Sequence, residues 1–167
     1  EIVPDLETMT SLGVSSTYLN GMAWDVNHEI LYGATSTELY QVDPLTGALT
    51  LIGSFQDENI VMIGIAYDSW SDVLYGVDLT YSALFSIDTA TGEATPVGEL
   101  GYYLNYAQDL AFDTENGYMY LSGMAWNGVQ YWGTLFWIDT SSGYAYKIED
   151  IQSGCELTAF AIPYDPP

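Results

Sequence analysis

Gly64 to Leu100 reads GIAYDSWSDVLYGVDLTYSALFSIDTATGEATPVGEL, and this stretch decides the fold. Ile65 to Tyr67 is an apolar-aromatic run ended by Asp68, a turn former. Val73 to Val77 is a second run, and Ala83 to Ile87 a third, followed by the turn Asp88 to Gly92. Ala94 to Val97 is a fourth, ended by Gly98. Runs this short, β-branched and aromatic, bounded by Gly, Asp and Ser, are strands rather than helices. The stretch therefore predicts four strands, A to D, joined by turns.

The same pattern lies on either side. Gly21 to Phe55 carries GMAWD, ILYGA, ELYQV, then DPLTG and ALTLIG. Asp109 to Ile151 carries DLAFD, YMYLSG, TLFWI, then DTSSG and YAYKI. Ala23, Ala66 and Ala111 are equivalent, 43 and 45 residues apart by subtraction. Four strands repeated at a period of about 40 to 50 residues is the mark of a propeller blade. A single blade cannot bury both its faces, so neighbours must stack. The expected fold is all-β and propeller-like, one domain over residues 1–167, with repeats at 21–55, 64–100 and 109–151. Partial blades are expected at both ends. Residues 8–13, TMTSLG, match strand D, giving a leading fragment over 1–13. Residues 157–161, LTAFA, match strand A, giving a trailing fragment over 157–162. These two pieces cannot complete one blade, because strands A and D are not neighbours. The chain is therefore expected not to close a ring alone; further chain or another copy of itself would cover its ends.

Composition narrows the function. The chain has 23 acidic residues against one Lys (Lys147) and no Arg, a formal net charge of −22. Such a surface repels phosphate backbones, which excludes DNA and RNA as partners, and anionic lipid by the same argument. No apolar run approaches the roughly 18 residues of a membrane span. Cys155 is the single cysteine and has no intrachain partner. One Lys and no Arg leave trypsin-like proteases one site, which suits a protease-rich exterior, so an extracellular or cell-surface location is expected. Most of the acid excess reads as solubility or adaptation to salt. A sharper reading is calcium, which takes six to eight hard oxygen ligands.

The pattern Gly-hydrophobic-Ala-aromatic-Asp, then Leu-Tyr-Gly, then Leu-aromatic-x-Ile/Val-Asp-x-x-Thr-Gly resembles the repeats of exported bacterial β-propeller proteins, in the style of YVTN and NHL-like propellers. It is carried by Gly21 to Asp25, Leu31 to Gly33 and Leu39 to Gly47, and again by Gly64 to Asp68, Leu74 to Gly76 and Leu84 to Gly92. The third copy departs: Ser122-Gly123 follows Leu121, and Ser142 replaces Thr before Gly143. Such propellers host unrelated activities, so the resemblance implies architecture rather than function.

The acidic turns read as structure. In Asp43 to Gly47, Asp88 to Gly92 and Asp139 to Gly143, Asp accepts backbone N–H groups and Gly supplies the positive φ that closes the C–D hairpin. Asp25, Asp68 and Asp113 play the same part in the A–B turns. His28, in the first A–B turn, reads as a solvated turn residue, and no second His exists to build a zinc site. Without Arg there is no clamp for carboxylate, phosphate or sialic acid. Paired carboxylates, as in glycosidases, are the acid–base chemistry left open.

The loops carry more. In an up-and-down blade the B–C loops and the D–A connections emerge on one face. The D–A connections are 14–20, 56–62, 101–108 and 152–156; the B–C loops are 35–37, 78–82 and 123–133. This face gathers Tyr18, Tyr81, Tyr102, Tyr103, Tyr106, Trp126, Tyr131 and Trp132 with amides and carboxylates. Loops on a rigid scaffold are the usual place for binding residues, and aromatics beside amides suit sugar rings or a protein partner. The expected ligand-binding residues are Tyr18, Tyr81, Tyr102, Tyr103, Trp126, Trp132 and Asn105. Asp57, Glu58 and Asp78 are the candidates for calcium. The expected function is a non-catalytic recognition module of a surface or secreted protein, binding glycan or protein in adhesion. The alternatives are a module that assembles head to tail with itself, and a carboxylate-dependent glycan hydrolase or lyase.

Overall fold

The computed structural model describes residues 17–151 and 154–162, the side chain of Ala107 excepted. Twelve strands form three four-stranded antiparallel sheets, each in sequence order. Blade 1 holds β1 (Gly21–Asp25), β2 (Ile30–Ala34), β3 (Glu38–Val42) and β4 (Leu49–Ser54). Blade 2 holds β5 (Met62–Asp68), β6 (Val73–Asp78), β7 (Ala83–Ile87) and β8 (Ala94–Glu99). Blade 3 holds β9 (Leu104–Asp113), β10 (Tyr118–Trp126), β11 (Tyr131–Ile138) and β12 (Ala145–Asp150). There is no α-helix among the described residues. The leading fragment expected over 1–13 lies outside them.

The turns follow the sequence. Asp25, Asp68 and Asp113 each accept two successive backbone N–H groups through one carboxylate oxygen. Asp43 and Asp88 do the same in the C–D turns, and Asp139 takes the N–H of Ser141 and the hydroxyls of Ser141 and Ser142. These bonds, and at Asp113 first of all the Asn116 side-chain amide donating to Oδ2 at 2.8 Å, stabilise the charged form and hold Asp43, Asp88, Asp113 and Asp139 below the usual carboxylate range. Gly47, Gly92 and Gly143 close the C–D turns at φ 70°, 81° and 79°.

Alternation along the strands sends one face of each blade to the blade before and the other to the blade after. Ile65, Tyr67, Leu74, Phe85 and Ile87 of blade 2 pack with Tyr32, Ala34 and Leu39 of blade 1. Ala66, Tyr75, Val77 and Leu84 pack with Leu110, Met119, Leu121, Phe136 and Ile138 of blade 3. Glycine in the outer strand tightens each contact. A Cβ on Gly53 would meet the Thr91 carbonyl oxygen of the next blade's turn at 2.0 Å, and one on Gly98 would meet that of Ser142 at 2.1 Å. Register places Gly53 opposite Leu39, Gly98 opposite Leu84 and Glu149 opposite Leu135. Glu149 therefore stands in blade 3 where its sisters have glycine.

Four expectations change. The equivalence of the three alanines does not extend to burial: Ala23 and Ala66 are buried, but Ala111 is partly exposed, since, among the described residues, 160–162 lie over that side of β9 across an axial groove of about 300 Å³. Residues 157–161 form no ladder with the described residues. They still occupy the place of a next inner strand, with the Phe160 N–H donating to Asp109 Oδ2 at 2.7 Å. Gly21 and Gly64 approach the backbone of the next inner strand at Ile65 and Leu110, so Phe160 is the equivalent of those residues, two positions from the sequence match. Third, the expected loop 101–108 is partly strand, since β9 begins at Leu104. Finally, His28 is not simply solvated: its Nδ1 lies 3.0 Å from Asp25 Oδ2, beside Asn27, which donates to Tyr67 and Ser69 across the blade boundary.

Candidate functional site

The expected B–C loop of blade 3, residues 123–133, is mostly hairpin. β10 runs out to Trp126 and β11 starts at Tyr131, with Trp126 opposite Tyr131. The turn is Asn127 to Gln130. Asn127 Oδ1 accepts the N–H groups of Val129 and Gln130 at 3.0 Å, and Gly128 has φ 97°. Asn-Gly is the strongest short hairpin signal in a sequence. The tip of the hairpin, Trp126 to Tyr131, extends past the β9 ladder, which ends with Ala125 opposite Leu104.

β9 meets this hairpin through a bulge. Its register on β10 shifts between Ser122 and Met124, and Tyr106 takes the left-handed conformation, φ 65°. An aromatic residue there is strained by about 1 kcal/mol or more. The Asn105 side chain helps hold it, accepting the Tyr106 N–H at 2.9 Å. The bulge brings the Tyr106 ring edge-on to Tyr131, centroids 5.6 Å apart at 89°. Trp126 meets the same tyrosine at 5.3 Å and 63°. Three rings thus surround an open cleft of about 420 Å³, completed by Met124, Val129, Gln130 and Glu156. The cleft offers apolar ring faces and edges with an amide and a carboxylate at its border.

The expected site residues divide. Trp126, 42% exposed, lines the cleft. Asn105 and Tyr103 shape it from behind: the Tyr103 carbonyl accepts the Trp126 N–H at 2.9 Å, while the Tyr103 side chain, 76% exposed, lines a separate hollow of about 160 Å³ with Tyr81 and Tyr102. Tyr102 is a core residue in part, tilted on Phe136 at 4.8 Å. The Trp132 ring lies over Gly154, where a Cβ would meet it at 2.3 Å, so it anchors the crossing segment. Tyr18, 88% exposed, does not line the cleft. Tyr81 belongs to a separate group, its hydroxyl donating to Asp57 Oδ2 at 3.0 Å, and that bond pushes the tyrosine up from its usual pKa. Tyr106 and Tyr131 lie on the expected face but are not among the expected site residues; Gln130, Glu156 and Met124 carry no sequence signal beyond their neighbourhood.

Two of the calcium candidates tie the 56–62 and 78–82 loops together. Asp78 is fully buried; its Oδ1 accepts the Val61 N–H at 2.6 Å and its Oδ2 the Tyr81 N–H at 2.5 Å. Asp57 Oδ1 accepts the backbone and side-chain N–H of Asn59, the main cause of its lowered pKa. Glu58 is exposed in the same loop. No three acidic, His or Cys side chains converge as a metal site among the described residues.

No family model and no curated protein matches the chain. Solved structures do. The chain is similar to the nidogen/laminin complex at 13% identity, over 81% of this chain and 49% of that one, TM-score 0.58. It is similar to a gluconolactonase from Xanthomonas campestris at 17% identity, over 84% and 50%, TM-score 0.60. It is also similar to the PQQ-bound aldose sugar dehydrogenase from Streptomyces coelicolor at 13% identity, over 80% and 48%, TM-score 0.56. All three are β-propeller-type proteins. The sheets are propeller blades. At these identities the likeness carries the fold alone, and the chain spans about half the length of each of these structures.

Proposed function

We propose that the chain is a non-catalytic recognition module, acting at the cell exterior, that binds glycan in the cleft of Tyr106, Trp126 and Tyr131. The supporting observation is the meeting of three rings at steep angles around an open cleft with Gln130 and Glu156 at its border. A sugar presents C–H groups to aromatic faces and hydroxyls to amides and carboxylates, which is the combination the cleft supplies. Glu156 is the one carboxylate lining the cleft, whereas glycoside hydrolysis uses a pair about 5 to 10 Å apart. That difference favours binding over catalysis.

The test is calorimetric titration with a panel of neutral oligosaccharides, repeated on Trp126→Ala. Trp126 is exposed and the hairpin is held by its ladder, so the variant should keep its circular dichroism and melting temperature. Binding should weaken at least tenfold, about 1.4 kcal/mol. Unchanged affinity in the variant, or protection of the opposite turns by the sugar in hydrogen exchange, would reject the cleft.

A further inference from the structure

The hollow beside Tyr103 lies on the loop face, at the boundary of blades 2 and 3. It holds about 160 Å³ and is lined by Tyr81, Tyr102 and Tyr103 with Ser82, Glu99 and Gly101. Tyr81 and Ser82 come from the B–C loop of blade 2, Glu99 ends β8, and the others follow it in the connection to β9. Hydrogen bonds lock these pieces together. Buried Asp78 accepts the Tyr81 N–H. The Ser82 carbonyl accepts the Leu100 N–H at 2.9 Å, and its Oγ accepts the Leu104 N–H at 3.0 Å. The Tyr81 hydroxyl reaches a third loop at Asp57. Ser82 is held left-handed at φ 49°, a conformation that persists where the surroundings enforce it. The Tyr102 ring rests on Phe136. The hollow is thus built before a ligand arrives, which lowers the ordering cost of binding.

The chemistry of this lining is one-sided. It consists of three aromatic rings and a carboxylate, with no cationic side chain among them. Aromatic ring faces are electron-rich and attract cations. A phenol that donates to a carboxylate gains electron density, so the bond to Asp57 strengthens the Tyr81 ring in that role. Lys147 stands opposite Phe136 in register, but its charge is met by Asp150 at 2.7 Å. The field of the whole molecule, net charge −22, gathers cations and repels anions. The space is well under half that of the cleft, about 160 Å³ against 420 Å³, and suits a compact group rather than a run of sugar rings. A calcium ion takes six to eight oxygens, and Glu99 is the one carboxylate in the lining. A quaternary ammonium sheds water readily and turns methyl groups to ring faces.

We propose that the hollow of Tyr81, Tyr102, Tyr103 and Glu99 binds a quaternary ammonium group of the choline type, its methyl groups against the rings and its charge toward Glu99. The hollow and the cleft share no lining residue, so this site stands or falls apart from the glycan reading.

Titration followed by amide NMR tests it, with choline chloride against the neutral isostere in which tert-butyl replaces trimethylammonium, at matched ionic strength. Choline should give saturable shifts at residues 81–82 and 99–103. It should bind about tenfold more tightly than the isostere, the scale of a desolvated cation–π contact. Tyr103 and Glu99 are exposed, so Tyr103→Leu and Glu99→Gln should fold. Each should weaken choline several-fold and leave the isostere as it was. No saturable shift from choline, equal affinity for the two ligands, or choline affinity unchanged in both variants overturns the proposal. Shifts at these residues from a neutral disaccharide but not from choline also overturn it, and join the hollow to the glycan site. Phosphatidylcholine vesicles distinguish the source: co-sedimentation assigns the bound ammonium to a lipid headgroup, and its absence to a free solute.

Discussion

Asp78 shows what the acidic residues do individually. It is fully buried, yet its two oxygens take two loop N–H groups, so backbone dipoles satisfy the carboxylate. Removing the carboxylate leaves the Val61 and Tyr81 N–H groups without it. Asp78→Ala should cost about 2 to 4 kcal/mol, one desolvation penalty per donor, measured by urea unfolding; a loss below about 0.5 kcal/mol would show that the loop re-pairs its amides freely. The turn aspartates were legible as structure because Asp-x-x-x-Gly states its own geometry. The Asp78 partners were not: Val61 is 17 residues away, and nothing local marks such a pair. The same limit applies to Tyr106, whose left-handed backbone depends on a bulge set by the partner strand.

At the scale of strands and blades, Gly98 marks how tightly the units seat. Gly98→Ala places a methyl on the Ser142 carbonyl and should cost about 1 to 3 kcal/mol by overpacking. Glu149→Gly should change stability by less than about 1 kcal/mol, since Glu149 is exposed and its loss relieves no clash. Equal effects of the two in thermal unfolding would refute the difference between the interfaces. The existence and order of the strands were legible, because alternation and turn residues act locally. The reach of β10 and β11 is not legible in the sequence. Gly123 and Gly133 look like loop punctuation, yet both are ladder residues, and the true turn signal is Asn127-Gly128 between them. Glycine at 123 reads one way as a break and another as close packing, here against Gln108 and Leu104.

For the whole molecule, a net charge of −22 on 167 residues sets the dependence on salt. Repulsion among surface carboxylates acts over a screening length of about 30 Å at 0.01 M salt and about 3 Å at 1 M. Stability should rise with sodium chloride, with a melting temperature at least about 3 °C higher at high salt than at low, roughly 1 kcal/mol for a chain of this size. A flat or falling salt profile would mean that the carboxylates are neutralised within the fold. The strand order carries a different consequence. In every sheet, spatial order equals chain order, and each strand after the first pairs with the one made just before it. The strand pairings within each sheet are therefore between sequence neighbours, a condition that favours rapid folding in β proteins. A nascent chain leaving a ribosome or a secretion channel end first could finish hairpin after hairpin, and each completed sheet would wait, one face bare, as the template for the next.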